Sequence, residues 1–139
     1  MNNRLERFRL LIGSSKLEML AKSNVLVAGL GAVGSYAVEA LARSGVGTIQ
    51  VVDFDIIRES NINRQLYALT STIGSSKVDI AQKRINDINP SCKVIKHQTF
   101  IDSKTIIELI ANIKRERDRR ALSNSSSEST GQIQDGEVI

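Results

Sequence analysis

Three glycines lie close together where a predicted strand passes into a predicted helix, in the stretch Gly29-Leu30-Gly31-Ala32-Val33-Gly34. This spacing is typical of a phosphate-binding loop. The first glycine permits a tight turn, the second lets the backbone approach a phosphate, and the third lets the helix pack closely on the strand. The start of the helix adds N–H groups and a partial positive charge. A tight turn that binds nothing would explain the glycines equally well.

An acidic residue follows at the place where the ribose of a bound nucleotide would lie. Asp53 ends the second predicted strand, about 20 residues beyond the glycines. A carboxylate at this position accepts hydrogen bonds from ribose hydroxyls. Since a turn without a ligand does not account for this carboxylate, the sequence predicts a nucleotide site.

Two cations downstream favour ATP over NAD as that nucleotide. Arg64 lies in the stretch SNINRQ, and Lys77 follows the stretch TIGSS. The glycine loop already serves the two phosphates of NAD. Displacement at the α-phosphorus of ATP develops negative charge on the departing pyrophosphate, which fixed cations stabilise. Asn61 and Asn63 supply neutral hydrogen-bonding groups for ribose or phosphate oxygens.

Each cation also has a simpler interpretation. Arg64 could be a surface cation or the ion-pair partner of Asp55 or Glu59, and Lys77 could be a solvated residue in the first turn of a helix. We favour the phosphate interpretation because Arg64 and Lys77 both follow Asp53, and their spacing is weighed together rather than one residue at a time. Asp55 is a weaker site candidate.

These residues need an alternating framework of strands and helices to hold them. Hydrophobic periodicity, glycines and Pro90 predict strands at residues 25–28, 49–52 and 92–101, and helices at residues 14–22, 32–44, 75–89 and 103–117. Alternation of this kind predicts an α/β fold, a Rossmann-like parallel sheet with helices on both faces, of which the first βαβαβ half is present. The first strand would then be an exposed edge.

Composition narrows the class of protein. The chain has 139 residues, 41% of them hydrophobic, and no apolar run approaches the ~18 residues of a membrane span, so we expect a cytoplasmic protein. One cysteine excludes an internal disulfide framework. With 4% aromatic residues and a net charge of +4, a dedicated nucleic-acid-binding domain is not indicated. We expect a nucleotide-binding domain over residues 1–117 and a disordered polar tail over residues 118–139.

The ordered set of motifs resembles the ThiF/MoeB-type adenylating enzymes, which are relatives of the ubiquitin-activating enzymes. Over about residues 5–102 the matching stretches are GLGAVG, SGVG, VVDFD, SNINRQ, TIGSSK and INP. Within that family, EALARSGVG, NINRQLYAL and STIG look most like the tRNA threonylcarbamoyladenosine dehydratases.

The resemblance implies roles for particular residues. Arg64 and Lys77 would be the electrostatic catalysts, Asp53 would hold the ribose, and ATP with Mg²⁺ would be bound. The full set of implied nucleotide-binding residues is Gly29, Gly31, Ala32, Gly34, Asp53, Asn61, Asn63, Arg64 and Lys77. The family's metal-binding aspartate follows a fourth strand that we do not find, so no metal ligand is assigned.

The implied activity is ATP-dependent activation of the carboxylate on threonylcarbamoyladenosine of tRNA, followed by cyclisation with loss of AMP. We expect a chain truncated before the downstream half of the site, and a homodimer formed through the sheet edge or the N-terminal segment. There, Arg7 or Arg9 would reach the neighbouring subunit's ATP. The alternatives are a non-catalytic nucleotide-binding module and a fragment of an NAD-dependent oxidoreductase.

Overall fold

The computed structural model describes residues 3–128. Helices and strands alternate along most of this range, as predicted. The elements are α1 (Glu6–Ile12), α2 (Ser14–Lys22), β1 (Asn24–Ala28), α3 (Gly34–Arg43), β2 (Thr48–Val52), α4 (Lys77–Ile88), β3 (Lys93–His97) and α5 (Ser103–Glu128). Short 3₁₀ helices lie at Asn3–Leu5, Glu59–Asn61 and Thr70–Thr72.

The three described strands form one parallel sheet in the order β1-β2-β3. Val25 of β1 pairs with Ile49 of β2, and Ile49 pairs in turn with Val94 of β3. The central strand is buried along its whole length. This confirms the parallel α/β architecture predicted from the sequence and places β1 at an edge of the described sheet.

The core lies between one face of this sheet and the two crossover helices. Val38 of α3 is fully buried, as is Ala81 of α4, and both belong to one apolar cluster with Ile49 and Val51. Since α3 links β1 to β2 and α4 links β2 to β3, right-handed crossovers bring both helices to the same face. The carboxyl ends of β1 and β2, and the loops that follow them, are thereby held at one edge of the sheet.

Two predicted boundaries differ from the structure by more than two residues. The strand predicted for residues 92–101 ends at His97, because its last partner in the ladder is Val52, where β2 ends. The helix predicted to end at residue 117 continues through Glu128. Residues 114–121, KRERDRRA, consist mainly of strong helix formers, which accounts for the extension. The remainder of the predicted polar tail, residues 129–139, lies outside the described residues.

The described residues fall into two compact units that divide between Asp102 and Ser103. The first unit holds the sheet and α1–α4, and the second holds α5. No helix in the range 3–128 is long and apolar enough to cross a membrane.

Candidate functional site

The glycine loop joins β1 to α3, and two of its glycines meet different requirements, Gly29 a left-handed backbone and Gly34 a lack of space. Gly29 has φ +89° and its N–H donates to the carbonyl oxygen of Val52 at 2.8 Å, which ties the loop to the end of β2. A Cβ on Gly34 would lie 1.7 Å from the carbonyl oxygen of Gly29, so no side chain fits there. This confirms the close packing of helix and strand predicted for the third glycine.

The middle of the loop is open by comparison. A Cβ on Gly31 would meet no heavy atom nearer than Nε2 of Gln65, at 4.0 Å, and Ala32 is exposed. The loop leads into the first turn of α3, where backbone N–H groups and the helix dipole favour an anion. An anion can therefore approach the backbone of this loop from solvent.

Asp53 contacts the glycine loop directly. Its side chain is buried, and its Oδ2 accepts the N–H of Leu30 at 2.7 Å. Its Oδ1 accepts the N–H of Asp55 at 2.8 Å. The carboxylate therefore fixes both the phosphate loop and the turn after β2. Each oxygen retains a second lone pair for a ligand hydroxyl, and the ribose contact stays a prediction.

The segment around Arg64 is a compact turn held by Asn61. Asn61 is buried, its Oδ1 accepts the N–H of Arg58 at 3.0 Å, and its carbonyl oxygen accepts the N–H groups of both Arg64 and Gln65. These contacts give Asn61 a role in shaping the turn, which the sequence did not indicate. Its predicted contact with a nucleotide stays a prediction.

Arg64 projects from this turn with its charge available. Its Nη1 donates to the carbonyl oxygen of Ser60 at 2.9 Å and to Oδ1 of Asn63 at 2.8 Å. Both partners are neutral oxygens, so neither compensates the guanidinium charge as Asp55 or Glu59 would. Asn63 and Arg64 are both exposed. The Asn63 amide steadies the arginine side chain in a position open to an anionic ligand.

Lys77 is buried at the start of α4, with 5% of its surface exposed. The side-chain Nζ lies 3.3 Å from Oδ2 of Asp55, and the backbone N–H of Lys77 donates to the backbone carbonyl oxygen of Asp55. An antiparallel bridge between Ile56 and Ser76 brings these two segments together. The alternative of a solvated lysine in a first helical turn is therefore wrong.

The Asp55 carboxylate acts as the counter-ion of this buried cation. Burial alone would raise its pKa, but the N–H of Ile56 and the ammonium of Lys77 together hold the pKa below its usual value of 3.8. Arg58 adds a longer ion pair at 3.7 Å. Asp55 is thus charged near neutral pH and supplies the buried side chain of Lys77 with a negative partner.

The structure joins the predicted residues into connected groups. Asp53 is bonded to the glycine loop, Asp55 to Lys77, and Asn61 and Asn63 to Arg64.

Ser35, at the start of α3, was not singled out by the sequence, yet it bonds both to the glycine loop and to the Arg64 segment. Of the two N-terminal arginines, Arg9 pairs with Glu6 of its own helix at 2.6 Å, and Arg7 is exposed. Over residues 3–128 no cluster of three or more His, Cys, Asp or Glu side chains could hold a metal ion.

Comparisons with known proteins support the family resemblance predicted from the sequence. The sequence profile of the ThiF family matches residues 3–116. A tRNA threonylcarbamoyladenosine dehydratase of Bacillus subtilis (strain 168) is 51% identical over 105 residues, which are 76% of this chain and 41% of that protein. The chain thus spans less than half the length of this curated relative.

Solved structures show the same likeness. The E. coli tRNA N6-threonylcarbamoyladenosine dehydratase TcdA in complex with ATP matches with a TM-score of 0.76 at 35% identity. The match covers 78% of this chain and 44% of that one. The same enzyme in complex with AMP matches equally well, with a TM-score of 0.76 and the same coverage.

Proposed function

The chain belongs to the ThiF family, and we propose that it binds ATP and takes part in the adenylation of a carboxylate. The substrate we propose is the threonylcarbamoyl group of a modified adenosine in tRNA, with a cyclic form of that group as the product. Similarity to tRNA threonylcarbamoyladenosine dehydratases supports this choice of substrate. We place the reaction in the cytoplasm and expect a homodimer, with Mg²⁺ accompanying the nucleotide.

The observation that carries the proposal is the buried ammonium of Lys77. A cation is costly to bury when it is 5% exposed and its side chain has one hydrogen bond within the described part of the chain, to Asp55. An anionic ligand beside it would offset that cost. The exposed guanidinium of Arg64, bonded to neutral oxygens, fits the same kind of ligand. Two such cations suit a triphosphate better than the diphosphate of NAD.

The proposed chemistry uses these groups to stabilise charge. A substrate carboxylate oxygen attacks the α-phosphorus, the bond from that phosphorus to the bridging oxygen breaks, and pyrophosphate leaves. Arg64 and Lys77 stabilise the charge that develops on the pyrophosphate. The backbone N–H groups of the glycine loop hold the α-phosphate. The acyl-adenylate then cyclises and releases AMP, so that no redox cofactor is needed.

The two carboxylates that follow β2 have different roles. Asp55 is the counter-ion of Lys77, and Asp53 holds the loop and, we propose, the ribose. The described residues include no metal-binding cluster. We propose that Mg²⁺ is held through the phosphates of the nucleotide, which is its ordinary mode in enzymes that use ATP.

Ligand-induced stabilisation tests the proposal. A ligand at ~100 times its Kd adds about 2.7 kcal/mol to the free energy of unfolding. We expect Mg·ATP to raise the melting temperature of the chain and NAD to leave it unchanged. Lys77→Met should abolish most of the ATP effect, whereas Lys83→Met, on the exposed part of the same helix, should retain it.

The alternative functions give different results. Stabilisation by NAD in place of ATP would support an oxidoreductase fragment. Stabilisation by ATP without exchange of labelled pyrophosphate in the presence of the tRNA substrate would support a non-catalytic nucleotide-binding module. If neither nucleotide changes the melt, the proposed function is wrong for this chain.

A further inference from the structure

A buried serine connects the two loops that we assign to the phosphates. The side chain of Ser35 is fully buried, in the first turn of α3. Its Oγ donates to the carbonyl oxygen of Gly31 at 2.7 Å and accepts the N–H of Leu66 at 3.2 Å. A hydroxyl has one hydrogen to donate and lone pairs to accept, so both bonds form at once. The first bond reaches the glycine loop, and the second reaches the segment that follows Arg64.

The segment beyond Leu66 is attached to the body of the protein. Tyr67 is buried in the apolar core, and the N–H of Ala68 donates to the carbonyl oxygen of Gln65. On the other side, Asn61 holds the turn that contains Arg64 through two backbone hydrogen bonds. The turn is internally fixed, and a displacement at Leu66 therefore moves Arg64 with it.

A second contact closes the same gap between the loops. The buried side chain of Gln65 lies beside Gly31, with Nε2 at 4.0 Å from where a Cβ of that glycine would be. Gln65 packs here without a hydrogen bond to the glycine loop. The hydroxyl of Ser35 supplies the polar link, since it contacts both loops.

We propose that Ser35 is a positioning residue that sets the Arg64 turn at a fixed distance from the glycine loop, so that one nucleotide can contact both. This inference rests on the proposed function. In it, the glycine loop holds the α-phosphate, and Arg64 meets the phosphates beyond it. Ser35 touches no ligand itself. It therefore determines how strongly ATP is preferred over AMP, because AMP lacks the phosphates that Arg64 contacts.

The first test removes the hydroxyl and compares two nucleotides. Ser35→Ala leaves the N–H of Leu66 without its buried acceptor, which allows the turn to shift. We expect the affinity for ATP to fall roughly tenfold, the amount set by losing one such bond. The affinity for AMP should change less than about threefold. Equal losses for ATP and AMP would overturn the proposal, since Ser35 would then act on the glycine loop alone.

A matched control exists at the other end of the same helix. The Oγ of Ser44 donates to the carbonyl oxygen of Ala40 at 2.7 Å, the same kind of bond that Ser35 makes to Gly31. Ser44 contacts neither phosphate loop in the described hydrogen bonds. Ser44→Ala should leave the affinities for ATP and AMP unchanged. A comparable effect of both substitutions would show that a general change in α3 is responsible.

The second test asks whether Ser35 acts through Arg64. In an Arg64→Ala background the affinity for ATP has already lost the guanidinium contact, and adding Ser35→Ala should lower it by less than about twofold. If each substitution instead lowers the affinity for ATP by the same factor with or without the other, the proposal is overturned. Should Ser35→Ala prevent a cooperative melt, Ser35→Cys keeps a weaker donor and acceptor of similar size. It should show an intermediate ratio of ATP to AMP affinity.

These results separate the inference from the function on which it rests. If the unchanged chain binds no ATP, the proposed function fails, and the positioning role fails with it. If the unchanged chain binds ATP, Arg64→Ala weakens that binding, and the effect of Ser35→Ala does not depend on Arg64, only the positioning role fails.

Discussion

Replacing the Asp53 carboxylate by an amide should destabilise the chain before any ligand is added. Both oxygens of Asp53 accept backbone N–H groups, from Leu30 at 2.7 Å and from Asp55 at 2.8 Å. In the Asp53→Asn variant one oxygen becomes an NH₂ group, which cannot accept a hydrogen bond. One backbone donor is then left facing another donor in a largely buried place.

The structure indicates which bond will be lost and how much that costs. The contact to Leu30 is buried, while the contact to Asp55 is partly exposed. The amide oxygen will therefore serve Leu30, and the partly buried N–H of Asp55 will lose its acceptor. Leaving a buried donor unsatisfied costs about 1–3 kcal/mol. Asp53→Ala removes both bonds, each worth about 1.5–3 kcal/mol because the acceptor is charged, so its loss should be clearly larger.

Urea unfolding without nucleotide measures this cost. With an m-value of about 2 kcal/mol/M, a loss of about 2 kcal/mol moves the midpoint down by about 1 M. Asp79→Asn is the control, because Asp79 pairs with Lys96 on the surface at 2.7 Å, and exposed pairs are worth about 0–1 kcal/mol. If the midpoint for Asp53→Asn equals that of the unchanged chain, Asp53 does not hold the glycine loop and the turn after β2 as argued.

Three further predictions concern other groups. Gly34→Ala should destabilise the chain by about 1–3 kcal/mol or more, since its Cβ would lie 1.7 Å from the Gly29 carbonyl oxygen; loss of the cooperative melt would agree, and an unchanged Tm would not. In urea unfolding, Asp55→Asn should cost more stability than Lys77→Met, because it leaves a buried ammonium unpaired, whereas methionine removes the charge; the reverse order would contradict this ion pair. Burial lowers the pKa of His97 below its usual value of 6.5, so on acidification the unfolded chain takes up the proton before the folded chain does. The free energy of unfolding should therefore fall as the pH drops below about 6.5. His97→Gln should remove that loss when the free energy of unfolding is measured against pH.

The sheet could be predicted from local patterns alone. The first two predicted strands are short and mainly apolar, and each is followed by a residue with a marked chemical role, Gly29 or Asp53. The third, over residues 92–101, has polar residues interspersed. The apolar face of α4 was also readable, since Val78, Ala81 and Ile85 repeat at helical spacing and are buried. The length of β3 could not be predicted in the same way, because it depends on where the neighbouring strand β2 ends.

The site was only partly predictable, for a physical reason. The glycine loop and Asp53 depend on residues within one βαβ unit, where spacing determines distance. The burial of Lys77 depends on a bridge between Ile56 and Ser76, a contact between separate loop segments. The bond from Ser35 to Leu66 also joins segments far apart in sequence. Contacts between segments far apart in sequence cannot be predicted from a single sequence. The residue types of the site were therefore predictable, but their hydrogen-bond and ion-pair partners were not.

The hydrogen bonds divide the polar groups of this site by task. Asp53, Asn61 and Ser35 are buried and bonded to backbone groups of neighbouring loops, so each holds the shape of the site. Arg64 is exposed and bonded to neutral oxygens, and the loop around Gly31 is open to solvent, so these are positioned to meet an anion.

A loss of ATP affinity on changing Asp53 therefore has two possible causes, a lost ribose contact or a displaced phosphate loop. The stability of the same variant without nucleotide distinguishes them, because a ribose contact contributes nothing to it. By the same logic, Arg64→Ala should lower ATP affinity with little change in stability, and this contrast between the two residues tests the division itself.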